Sequence, residues 1–102
     1  MQIEGIHHIA IIAADYEACK RFYTEVLGFE VIRETYRAER QSYKLDLSVN
    51  GQYQVELFSF PDRRERASWP EARGLRHLAF AVKGLEASVQ SLAGNGVEGY
   101  SG

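Results

Sequence analysis

Three residues of this 102-residue chain combine ligand-type side chains with strand-like surroundings: His8, Glu56 and His77. His8 lies within the apolar run of residues 6–13, and His77 lies within a similar run at 75–82. Glu56 is flanked by Val55 and Leu57. An ionised carboxylate in such a strand is costly unless it is paired, hydrogen-bonded or bound to a metal. Two imidazoles and one carboxylate, with coordination positions left open, suit Zn²⁺, Ni²⁺, Fe²⁺ or Mn²⁺, and the residue types do not choose among them. Plainer readings stand beside this one. A strand histidine is commonly a hydrogen-bonded residue with no metal, and Gln52 and Gln54 share the predicted face of Glu56, as they would on a solvated surface. His7 should point to the face opposite His8 and reads as structural. Cys19 lies on an apolar helix face and reads as core packing.

The elements that must carry these groups follow from periodicity. Residues 6–13 read as a buried strand. Asp15 is a suitable N-cap, with Glu17 in the first turn. Cys19, Phe22, Tyr23 and Val26 recur at helical spacing, and Gly28 is a natural stop. A second strand is predicted from Phe29 to about Tyr36. Tyr43, Leu45, Leu47 and Val49 alternate, Asn50-Gly51 signals a type I′ hairpin, and the return strand alternates again. On that return strand Tyr53, Val55 and Leu57 should share one face, and Gln52, Gln54, Glu56 and Phe58 the other. The polar, arginine-bearing stretch 61–74, bounded by Pro61 and Gly74, reads as a linker. Residues 75–82 read as a further strand, followed by a helix carrying Leu85, Val89 and Leu92 that ends at Gly94-Asn95-Gly96.

The chain also repeats itself. At an offset of 69 positions His8-Ile9-Ala10 falls on His77-Leu78-Ala79, and Asp15-Tyr16-Glu17-Ala18 falls on Gly84-Leu85-Glu86-Ala87. Matches in the same order, on the same predicted strand and helix, argue for a duplicated unit. The first copy is strand, helix and three strands. The second supplies only strand and helix. The expected organisation is therefore one domain over 1–102: module one at about 3–60, a linker at 61–74, and a partial module two at 75–102. A half-covered sheet leaves strand edges and apolar surface open, so close self-association as a homodimer is expected.

Composition narrows the partners. Twelve basic against fourteen acidic residues give a net charge of −2, which argues against a nucleic-acid partner. No apolar stretch approaches the roughly 18–20 residues of a membrane span, and no secretory signal is visible. The single cysteine excludes an internal disulfide. A cytoplasmic location is expected.

The run His7-His8-Ile-Ala-Ile-Ile, then Asp15, then Phe22-Tyr23-Thr24-Glu25-Val26-Leu27-Gly28-Phe29 resembles the vicinal oxygen chelate superfamily of glyoxalases, bleomycin-resistance proteins and extradiol dioxygenases. The stretches 50–58 and 74–80 resemble its lactoylglutathione-lyase-like bacterial branch. The resemblance implies an α+β fold of paired βαβββ modules forming a cupped sheet around a divalent metal, here with the second module stopping after its helix. It implies metal ligands at His8, Glu56 and His77. A fourth ligand, usually a glutamate on the last strand of the second module, has no matching position. Glutamate at position 56 favours the glyoxalase-like isomerases over the dioxygenase branch, which generally places no ligand there, and over the epimerases, which often carry glutamine.

The implied activity is that of a glyoxalase-like metal-dependent lyase or isomerase. Its substrate would be a small 2-oxo compound or hemithioacetal such as a glutathione adduct. The metal would act as Lewis acid, and Glu56 would serve as ligand and as the base that shuttles a proton between neighbouring carbons. Arg33, Arg37 and Arg40 either meet an anionic substrate or are solvated surface residues. Arg63, Arg64, Arg66 and Trp69 either cover the mouth of the site or belong to a plain linker. The alternatives are a metal-free binding dimer like the bleomycin-resistance proteins, an extradiol-dioxygenase-like protein, or a fragment without a complete site.

Overall fold

A computed structural model describes residues 1–61 and 78–97. The chain divides into two units, Met1–Glu65 and Arg66–Gly102. The first carries β1 (Ile9–Ile12), α1 (Tyr16–Arg21) continued by a π-helical turn over Phe22–Val26, β2 (Glu30–Arg37), a 3₁₀ turn at Ala38–Arg40, β3 (Ser42–Val49) and β4 (Gln52–Phe58). The four strands form one mixed sheet in the order β1-β4-β3-β2. β1 runs parallel to β4, and the other neighbours are antiparallel. This is the expected α+β succession of strand, helix and three strands.

Local chemistry explains each element. The Asp15 carboxylate accepts a 3.1 Å hydrogen bond from the Ala18 amide, so it caps α1 as expected. The helix then widens. The Leu27 amide bonds the Phe22 carbonyl five residues back, and Gly28 at φ 76° takes the chain out of the helix. At the hairpin Asn50 and Gly51 both have positive φ, 53° and 80°, as a type I′ turn requires.

Alternation along β3 and β4 builds the core. Leu45, Leu47, Val55 and Leu57 are buried together with Ala13, and Ile11, Tyr16, Cys19 and Tyr23 pack against them. Each fully buried leucine is worth roughly 1.5–3 kcal/mol. Cys19 is therefore a packing residue, as the helical spacing predicted. On the same side the Tyr16 hydroxyl donates to Glu34 at 2.6 Å and the Lys20 ammonium reaches Glu34 at 3.0 Å, fastening α1 to β2. Burial, then the hydrogen bond to Glu34, push the Tyr16 phenol above its ordinary pKa.

Two expectations about strands need correction. β1 begins at Ile9 rather than at residue 6, because its pairing with β4 starts at Ile9 opposite Val55, where the β4 register shifts. His8 thus stands just before the strand. In the second unit, residues 78–82, expected as strand, form no ladder among the described residues. A strand needs a neighbour to bond, and the element described in that unit is the helix α2 (Leu85–Gly94). That helix matches its predicted apolar spacing. It closes with the Val97 amide on the Leu92 carbonyl at 3.0 Å and Gly96 at φ 81°. No described helix is long and apolar enough to cross a membrane.

Candidate metal centre

The face of the sheet opposite α1 carries the polar groups. Ladder pairing sets Asp46 directly across from Glu56, and Ala10 across from Glu56 on its other side. Both neighbours therefore project with Glu56. Glu56 is 9% exposed and lies between the buried Val55 and Leu57, as period-two alternation requires.

The Glu56 carboxylate is engaged on both oxygens. Oε1 accepts the Tyr53 hydroxyl at 2.6 Å and lies 3.1 Å from the Lys44 ammonium. Oε2 faces His8 Nε2 at 3.4 Å. The Tyr53 hydroxyl also lies 3.0 Å from Asp46 Oδ1, and Lys44 Nζ lies 3.6 Å from the same atom. Burial alone would raise the Glu56 pKa, but the hydrogen bonds from Tyr53 and Lys44 outweigh it and hold the carboxyl below its ordinary value. Burial, then the bond to Glu56, raise the Tyr53 phenol, which stays protonated. Glu56 keeps Lys44 firmly cationic.

Tyr53 overturns its predicted face. Strict alternation puts it opposite Glu56, yet its hydroxyl bonds Glu56. The cause is a bulge. Leu47 pairs with Val55 while the next residue, Ser48, pairs with Tyr53, so Gln54 is an extra residue on β4. A bulge re-aims the side chain beside it. His7 is likewise corrected. It does not turn away from His8, because both residues precede β1 and escape its alternation. The two Nδ1 atoms are 2.8 Å apart, and both rings lie against Tyr53, with centroids 5.6 and 5.9 Å away. A contact between two Nδ1 atoms requires a hydrogen on one of them. With that hydrogen on His7, His8 carries its own on Nε2 and can donate to Glu56; with it on His8, the Nε2 lone pair faces Glu56, as a metal ligand needs.

Of the three predicted ligands, His8 and Glu56 come together and His77 lies outside the described residues. So do Arg63, Arg64, Arg66 and Trp69. Among the described residues no set of three His, Cys, Asp or Glu side chains is arranged to hold a cation. The two placed donors fit one. Metal–nitrogen and metal–oxygen bonds of about 2.1 Å put neighbouring ligand atoms about 3.0–3.4 Å apart, according to whether the angle is octahedral or tetrahedral. The observed 3.4 Å falls at the tetrahedral end of that range. Arg37 is occupied by the protein, over the rings of Phe58 and Phe60 at 5.1 and 5.9 Å and donating to Ser42 Oγ at 3.3 Å. Sequence reasoning missed Lys44, Asp46 and Tyr53. An unbroken ladder from the Asn50-Gly51 turn would set Leu45 across from Glu56, so the opposition of Asp46 to Glu56 and the facing of Tyr53 both depend on the bulge.

Comparison with known proteins agrees with this architecture. The chain is 62% identical over 98 residues to the Bacillus subtilis protein YwkD, spanning 96% of this chain and 77% of that one. It superposes on the glyoxalase family protein of Enterococcus faecalis with a TM-score of 0.85 at 46% identity, covering 96% and 77% of the two chains. It shares its fold with the fosfomycin resistance protein FosX of Listeria monocytogenes, solved as an E126Q mutant with Mn(II) and a dihydroxypropylphosphonic acid. There the TM-score is 0.71 at 19% identity, with 95% and 73% covered. The model of one family matches residues 5–101, nearly the whole chain. The chain belongs to the glyoxalase/bleomycin resistance protein/dioxygenase superfamily.

Proposed function

We propose that this chain is a glyoxalase-like, metal-dependent lyase or isomerase acting on a small 2-oxo or hemithioacetal substrate, such as a glutathione adduct. The observation that carries the reading is the approach of His8 Nε2 to Glu56 Oε2 at 3.4 Å on the open face of the sheet. An imidazole and a carboxylate at this spacing are joined either by a proton on Nε2 or by a metal ion in its place. His8, Glu56 and His77 would hold it, and Zn²⁺, Ni²⁺, Fe²⁺ and Mn²⁺ all suit that donor set. The Mn(II) of FosX supports the choice of a divalent ion.

Bound there, the ion would supply Lewis-acid stabilisation of the oxyanion that develops as a C–H proton leaves the substrate. The remaining work belongs to the chain. Glu56 is kept ionised by Tyr53 and Lys44, so it is ready to accept that proton and return it to the adjacent carbon. The Lys44 cation adds positive potential beside the reacting atoms. Exposed Ile12 on one edge strand and Val31 and Ile32 on the other leave apolar area uncovered at both edges of the sheet unit, part of which a homodimer would cover.

The test pairs metal analysis with a methylglyoxal–glutathione assay. Divalent metal bound near one equivalent, and turnover abolished by chelation and by His8→Ala, are expected. Metal binding that His8→Ala and Glu56→Gln leave unchanged would overturn the assignment. A second reading, a metal-free small-molecule binder of the bleomycin-resistance kind, draws on Lys44, which already neutralises Glu56 from within the protein. That reading expects ligand binding that chelators do not alter.

A further inference from the structure

One residue touches both halves of the placed ligand pair. The Tyr53 ring packs against His8 with centroids 5.9 Å apart, and its hydroxyl donates to Glu56 Oε1 at 2.6 Å. The two oxygens of that carboxylate are thereby divided. Oε1 is engaged by Tyr53 and Lys44, both of which are donors, while Oε2 meets only the imidazole among these contacts. A carboxylate pinned at one oxygen loses its freedom to rotate and cannot offer both oxygens to one ion. We propose that Tyr53 is a positioning residue that locks Glu56 as a one-oxygen ligand, presented through Oε2, and seats the His8 ring beside it. This rests on the metal reading of the site.

The bulge at Gln54 is the structural device behind this role. It turns Tyr53 onto the Glu56 face, where an unbroken ladder would send it toward the leucine core. Tyr53 contacts two groups that are far apart in sequence, so its effect belongs to the assembled site. A partner that fixes a metal-ligating side chain typically contributes about 10- to 100-fold to metal affinity. Removing the Tyr53 hydroxyl should leave Lys44 as the donor on Oε1 and loosen the carboxylate's orientation, which alters the ligand field at the ion.

The experiment measures Co(II) binding to the whole chain by titration calorimetry and visible absorption. Tyr53→Phe keeps the ring and removes the donor; Tyr53→Met is a second donorless variant should the first not fold. Thermal denaturation establishes that each variant is native. Expected are an affinity about 10- to 100-fold weaker than wild type and an altered Co(II) band shape and intensity. A purely structural role would leave the band shape of the folded variant unchanged. The proposal is overturned if the donorless variants bind Co(II) like wild type, with the same spectrum, while His8→Ala and Glu56→Gln lose binding. If those two ligand variants also bind like wild type, or wild type binds no Co(II), the metal reading itself fails and this role falls with it.

Discussion

On the side of the sheet that α1 covers, Leu45, Leu47, Val55 and Leu57 are almost wholly excluded from solvent. One residue along the same strands, on the other side, Asp46 and Glu56 stand opposite each other with Lys44 and Tyr53 bonded to them. The first side is held mainly by buried apolar area, with the Tyr16–Glu34–Lys20 link at its margin. The second holds two carboxylates that only donors or a cation can stabilise. A single strand, β4, serves both because its side chains alternate. The contrast teaches that stability and binding chemistry are separable in this protein, residue by residue.

The comparison can be broken most forcefully at the core. Leu57→Ala should destabilise the chain by about 3 kcal/mol, roughly 15 °C in the thermal midpoint. If it melts like wild type, the covered side is not the seat of stability. Next comes the open side. His8→Ala should weaken divalent-metal binding by about 100-fold or more, a loss of about 2.7 kcal/mol by calorimetry. Its folding stability should change by less than about 0.5 kcal/mol. A large stability loss from this variant would erase the division between the faces. Smaller is the cap. Asp15→Ala should cost about 1 kcal/mol in urea unfolding, with metal affinity unaltered.

The smallest effect is electrostatic. The Tyr16 hydroxyl, then Lys20, hold Glu34 below its ordinary carboxyl value of 4.5. A depressed pKa means that the folded state favours the ionised form. That stabilisation is complete above about pH 4.5 and is lost as pH falls through the lower folded value. Stability measured from pH 7 down to pH 3 should therefore decline, and Tyr16→Phe should decline less steeply. Parallel curves would show that the link between α1 and β2 carries no ionic contribution.

How much of this was legible beforehand differs between elements. The Asp15 cap, the Gly28 stop, the Asn50-Gly51 turn and the helix at Leu85–Gly94 all rest on residue types whose local conformational preference survives in the fold. The strand expected at 75–82 rested on apolar content and on the repeat, and its described part, 78–82, lacks a ladder because a strand exists only where a second one pairs with it. His8 and Glu56 were legible as ligand types because each sits in an apolar run where it needs a partner.

Alternation and turn chemistry are short-range properties, so the order of residues was enough to set the hairpin turn, the cap and the facing of Glu56 away from its neighbours Val55 and Leu57. Which oxygen of Glu56 meets His8, and the arrival of Tyr53, Lys44 and His7 at the site, were decided only in three dimensions. Those contacts depend on the parallel pairing of β1 with β4 and on the one-residue bulge at Gln54. A bulge reverses the facing of a side chain without any mark in the period of the sequence, because its cause is the register between two strands rather than the composition of either.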